Sequence, residues 1–196
     1  MKYCIYLFYL GILASCTIAK FHLPVSAPTS PRVGATAFYE TVASWKWKER
    51  DSFAVAQITA GNIPGFLCAF VPVSATITDS AGKLHRAVFY VSPDYISLGS
   101  DTDWARIPLT PMAAQKIADH FVCFLPTRKM VDLIYQAATV KLAPVPMYAF
   151  RDSSVTMWQH HLIIEGQRKN RKGLIAGIKK DLVISGKLTR DAKPGR

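Results

Sequence analysis

Hydrophobic residues recur along this chain with two different periods, and the switch between them divides it into elements. In "ATAFYETVASWKWKERD", Phe38, Val42 and Trp45 fall at helical spacing with Tyr39 and Ala43 beside them, which predicts one amphipathic helix over 36–50. From Val71 to Trp104 the pattern changes to alternating and β-branched residues. Three turn signals interrupt it, at Ser80-Ala81-Gly82, at Ser92-Pro93-Asp94 and from Gly99 to Asp103, which predicts an antiparallel β-meander. Helical spacing then returns. Thr110 offers an N-cap and Pro111 a first helical residue for "LTPMAAQKIADHF". "LPTRKMVDLIYQAATVKL" repeats the arrangement, with Met130, Ile134 and Ala137/Ala138 as its buried stripe. "DSSVTMWQHHLIIEGQ" starts a further helix at Asp152 or Ser153 with Val155, Trp158 and Leu162 on one face. "GLIAGIKKDLVISGKL" reads as two short strands around Gly177-Ile178-Lys179-Lys180. Strands in the middle and at the end, with helices between them, predict an α+β class and one compact domain over 35–190.

The first 34 residues follow a different logic. Lys2 precedes an apolar run from Cys4 to Ala14, which is broken by Ser15 and Thr17 and stopped by Lys20. That run has the length of a secretory signal and falls short of the ~20 residues a spanning helix needs. The stretch from Lys2 to Cys16, ending Leu13-Ala14-Ser15-Cys16, resembles a bacterial lipoprotein leader. The resemblance implies that residues 1–15 are a signal peptide and that Cys16 becomes the first residue of the finished protein. Its sulfur would carry a thioether-linked diacylglycerol that holds the chain on a membrane. Cleavage after Ala19 is the alternative and gives a free secreted protein. Residues 16–34 contain Pro24, Pro28 and Pro31 and read as a semi-rigid tether.

Half of the chain is apolar, which excludes a disordered protein. The net charge of +11 is unevenly placed: residues 167–196 carry +8 and the preceding 166 carry +3, with residues 191–196 a basic tail. Such a segment attracts anionic lipid headgroups or an acidic envelope polymer. A solvated basic tail is the bland reading. With an export signal, nucleic acid is not an expected partner. "SWKWKER" does interleave Trp with cations as a single-strand binder would, but the helical stripe already accounts for Trp45 as core.

Candidate chemistry begins with the cysteines that survive the leader, Cys68 and Cys123. They would form a disulfide, lie buried as free thiols or, for Cys123, act as a nucleophile. Cys123 lies four residues before Thr127, near an expected helix start, where the helix dipole would favour a thiolate. His160 or His161 would then be the base and Asp181 the orienting acid. His161 and Glu165 share a helix face, and Asp101 and Asp103 offer hard oxygens, yet no ligand-spaced motif completes a metal site. Asp in a Gly/Ser turn more often caps backbone. "GLIAGIKK" is not a P-loop, no Gly-x-Ser-x-Gly elbow is present, and no cofactor is expected. Two readings of an exported envelope protein follow. One is a small amidase- or peptidase-like hydrolase using Cys123, His160 or His161, and Asp181; the other is a noncatalytic lipoprotein that binds an anionic envelope polymer or a protein partner through its basic end.

Overall fold

The computed structural model describes residues 21–26, 28, 31–147 and 149–177. It is a mixed helix-and-sheet protein, and among the described residues it holds five α-helices and an antiparallel three-stranded sheet. None of these helices is long and apolar enough to cross a membrane.

Two helices, α1 (Ala35–Thr41) and α2 (Trp47–Thr59), stand where a single helix over 36–50 was expected. Thr41-Val42 and Ser44 are weak helix formers, and the Val42 carbonyl is taken by Ser154 Oγ at 3.0 Å. The chain turns there and restarts from an extended Lys46. Trp45 consequently lies 38% exposed, with its ring edge on Phe53, instead of entering the core. The main core forms between α1, α2 and a short hairpin, around Phe38, Val42, Ile58, Leu98 and Ala105. Phe38 is fully buried and stacks on Phe53 with centroids 5.6 Å apart.

Gly34, just before α1, has no side chain because Asp103 occupies the space a Cβ would need. Asp103 serves as the cap that Gly34 does not supply: its Oδ1 accepts from Thr36 N and Thr36 Oγ1, both at 3.2 Å.

The expected meander is two separate hairpins. β2 (Ala69–Thr78) and β3 (Leu84–Val91) form a long ribbon in the three-stranded sheet, whereas β4 (Ser97–Gly99) and β5 (Trp104–Arg106) form a sheet of their own. The ribbon closes where the turn signal lies. Asp79 Oδ1 accepts from Ala81 N and Lys83 N, both at 2.9 Å, and Gly82 takes a positive φ. The ladder ends at Ser92-Pro93-Asp94 because Asp94 turns inward and the Pro93 carbonyl accepts from Ile175 N.

The third strand, β1 (Phe21–His22), comes from the segment expected to be a tether. It pairs with β2 through Phe21↔Phe70 and His22↔Ala69, and Leu23 behind it is buried. Residues 21–23 are therefore seated on the domain.

α3 (Pro111–His120) and α4 (Arg128–Ala137) start at the threonine caps the sequence offers: Thr110 Oγ1 accepts from Ala113 N and Thr127 Oγ1 from Met130 N. Thr110 is itself fixed by buried Asp51, whose Oδ2 accepts from its N and Oγ1 at 3.0 and 2.7 Å. On α4 the buried residue is Val131; Met130 and Ile134 are half-buried and Ala137 is exposed. α4 covers one face of the ribbon, where Val73 packs with Ala138 and Leu174 against Phe89 and Leu133.

α5 (Ser154–Arg168) starts at Ser153 but buries Ser154, Thr156, His161 and Ile164, while Val155 and Leu162 face outward. Polar partners set this phase. Finally, β6 (Val140–Lys141) pairs in parallel with β7 (Ile175–Ala176), so Ile175 joins a crossover instead of a terminal hairpin. The rest of that expected strand pair lies outside the described residues.

Truncating Phe38→Ala empties the tightest point of the core. Urea unfolding is expected to show a loss of about 3–5 kcal/mol, with the slope of the transition unchanged.

Candidate functional site

Where α5 crosses the β4–β5 hairpin, the protein buries a charged cluster that sequence reading did not anticipate. Arg106 ends β5. Its Nε donates to Asp94 Oδ1 at 2.8 Å and its Nη2 to Asp94 Oδ2 at 2.6 Å, a bidentate pair with both side chains buried. Its Nη1 donates to Glu165 Oε1 at 2.8 Å, and Glu165 Oε2 accepts from Arg168 at 3.1 Å. The four charges alternate in sign along the cluster, from the fully buried Asp94 to the half-buried Glu165 and Arg168. Burial alone would depress the Arg106 guanidinium, but Asp94 and then Glu165 more than offset this and hold it above its ordinary value. The Arg106 backbone is used as well: its carbonyl accepts from Tyr39 Oη at 2.9 Å and its N–H donates to His161 Nδ1 at 3.3 Å.

His161 is thereby fixed on three sides. Its ring stacks on Trp158 at 5.5 Å and meets Trp104 edge-on at 5.2 Å, while the guanidiniums of Arg106 and Arg168 lie over Trp104. Burial, reinforced by the charge of Arg106, pushes its pKa down to about 4. At neutral pH the imidazole is uncharged, with Nδ1 already engaged as an acceptor. His160, its neighbour, is half-buried.

Cys123 occupies a different environment from the one its spacing suggested. It closes the C-terminal end of α3: Cys123 N donates to Ala118 O at 2.7 Å and Val122 N to Asp119 O at 3.1 Å, the paired bonds of a Schellman motif. The start of α4 lies beyond, at Thr127. The partial charge at a helix C-terminus disfavours a thiolate. Burial raises the thiol further, and Sγ donates to Phe121 O at 3.4 Å. His161 and Cys123 are thus held by different partners, Arg106 and Phe121. Asp181, the expected third member, and Cys16, the expected lipid site, lie outside the described residues.

Cys68 and Cys123 are both free thiols. Cys68 lines a cleft of about 410 Å³ together with His22, Arg32 and Ile63. Burial and then the Asp101 carboxylate raise its pKa, against the opposing effect of Arg32. Asp101 and Asp103 serve backbone groups, Phe66 N and the start of α1 respectively. Among the described residues no group of three or more His, Cys, Asp or Glu side chains converges on a metal position.

The described part of the basic end is partly structural. Arg171 Nη2 and Nε donate to the Gln167 and Arg168 carbonyls at 2.9 and 3.1 Å, which caps α5, and Arg168 pairs with Glu165. Lys169 and Lys172 remain exposed. Family models, curated proteins and solved structures give no match to this chain.

The cluster was hidden because its members are scattered. Arg106 sits among apolar residues in "WARIPL", and Asp94 sits in an ordinary turn signal. The one local hint was the four-residue spacing of His161 and Glu165.

Two outcomes are expected. Below pH 6.5 the unfolded chain protonates His161, whereas the folded one resists until about 4. Stability therefore falls as pH drops through that window, by up to about 3 kcal/mol. Urea unfolding at several pH values should show this slope shrinking in His161→Asn, whose Oδ1 keeps an acceptor for Arg106 N. Second, Val122 is β-branched at a φ of 53° and 95% exposed. Val122→Gly should raise the unfolding free energy by about 1 kcal/mol, read as a higher thermal midpoint.

Proposed function

We propose that this chain is an exported envelope protein, attached to a membrane by lipid on Cys16, that works by binding instead of hydrolysis. Export and attachment are supported by the leader from Lys2 to Cys16. The binding reading rests on one observation: the thiol a hydrolase would use and one of its two candidate imidazoles, His161, are tied into structure. Cys123 closes α3 in surroundings that raise its pKa, and His161 holds the Arg106 backbone in a form that resists protonation. Nucleophilic catalysis needs the opposite, a depressed thiol beside an accessible base. The ligand class is an anionic envelope polymer or surface, with the exposed Lys169 and Lys172 and the further cations in the sequence of 178–196 as candidate contacts.

In a bacterial host, labelled palmitate is expected to enter the wild-type chain and to be absent from Cys16→Ser. Purified peptidoglycan should show no turnover, and Cys123→Ser should change nothing. Thiol-dependent release of fragments, lost in Cys123→Ser, would revive the hydrolase reading. Retention on an anionic polymer should fall with added salt and fall further in Lys169→Gln/Lys172→Gln.

A further inference from the structure

Near its base the β2–β3 ribbon has one face covered and the other not, whereas toward the tip both faces are exposed, Ile77 at 45%. Residues on a strand alternate between faces, so Val71 and Val73 with Phe89 and Val91 pack under α4 and beside Leu174. The opposite face collects Phe70, Pro72, Ser74, Thr76 and Thr78 from β2 and Leu84, Arg86, Val88 and Tyr90 from β3, joined by Phe21 of β1. Phe21 lies within 5.4 Å of Phe70 and 5.7 Å of Tyr90, centroid to centroid. Beside the polar Ser74, Thr76 and Thr78, the β3 row and Phe21 leave large apolar groups open: Phe21 is 41% exposed, Tyr90 37%, Val88 48% and Leu84 51%.

Chain direction adds a second constraint. β1 is antiparallel to β2, with Phe21 opposite Phe70 and His22 opposite Ala69. The N-terminal end of β1 therefore points toward the tip of the ribbon. Cys16 precedes Phe21 by five residues. Fully extended, five residues reach at most about 18 Å. The ribbon beyond Phe70, eight residues to Thr78, is about 26 Å long. A lipid on Cys16 thus keeps Phe21, itself part of the apolar face, within that reach of the bilayer. Charge agrees with this placement. Lys83 and Arg86 are exposed on the ribbon, neither in an ion pair among the described residues, and Lys20 stands between Cys16 and Phe21 in the sequence. The ribbon's carboxylate, Asp79, is bound to the turn amides and to His85.

We propose that the β3 row of this face, Leu84, Arg86, Val88 and Tyr90, together with Phe21, docks on an anionic phospholipid bilayer and lays the domain against the membrane that Cys16 anchors. The proposal rests on lipidation of Cys16. Aromatic rings seat at the headgroup level, and cations meet anionic lipid there.

The test places the photocrosslinker benzoylphenylalanine at Val88 in the full chain, expressed in a bacterial host. The protein is then reconstituted into phosphatidylethanolamine vesicles containing one-third radiolabelled phosphatidylglycerol. The same crosslinker at exposed Val155 on α5 is the control, and Leu84 is a second site on the open face. Radiolabelled adducts from positions 88 and 84 in excess over 155 support the proposal. Arg86→Gln should then lower the adduct at 88 about fivefold. Equal yields at all three positions overturn it, as does an adduct of doubled mass at 88, which would make the face a self-association surface. Palmitate labelling of the same preparation separates the two ideas. Palmitate present without lipid adducts removes the docking face and leaves the anchor; adducts without palmitate remove the anchor and keep the lipid affinity of the face.

Discussion

A bidentate ion pair sealed inside the molecule, Arg106 on Asp94, fixes how the β4–β5 hairpin meets everything packed on it. Taking either ion out of water alone costs several kcal/mol, so the pair is tolerable only with its geometry intact. That requirement sets a register. β5 alternates Trp104, Ala105 and Arg106, with Ala105 opposite Leu98 in the core. A slip by one residue would turn the guanidinium toward Phe38 and Leu98 and orphan Asp94. Through its backbone the same residue receives Tyr39 of α1 and holds His161 of α5. Burial raises the Tyr39 phenol, which keeps it a neutral donor to the Arg106 carbonyl. One residue therefore places two helices on a three-residue strand.

This constraint also decides what the histidine can do. An imidazole whose acceptor nitrogen is committed to a backbone N–H, between two indoles and near two guanidiniums, orients its neighbours and is a poor proton carrier. The thiol is committed to structure in the same way. Cys123 and Trp158 both pack on the main cluster, yet Cys123 arrives there as the last residue of a helix terminus. Reactive thiols are found where positive potential is available, and a helix C-terminus supplies the reverse.

Local signals in the sequence proved reliable where the physics is local. Thr110, Thr127 and Ser153 cap the helices they announce, and the Asp79–Gly82 turn closes where its residues demand. Signals that depend on distant partners failed. The phase of α5 could not be read from apolar spacing because Ser154 and His161 are buried by bonds to Val42 and Arg106, 112 and 55 residues away. The single helix over 36–50 failed because its apolar period runs through a break that the Val42–Ser154 bond helps to fix. The strand at Phe21 was obscured by the prolines that follow it, although two pairs on β2 and a buried Leu23 suffice to seat it.

The ribbon shows a conflict of its own. Its cross-strand pairs set polar β2 residues against apolar or charged β3 residues: Ser74 faces Val88, Thr76 faces Arg86 and Thr78 faces Leu84. The apolar members are thus concentrated on β3, the edge of the sheet, where an open strand invites pairing with other chains. A cation in the middle of that row, Arg86, is the ordinary protection against such pairing. It does not explain why Tyr90 and Phe21 remain uncovered beside it. The proposed bilayer contact would, because a bilayer takes aromatic rings and a guanidinium at the same depth and offers no backbone groups with which to extend the sheet.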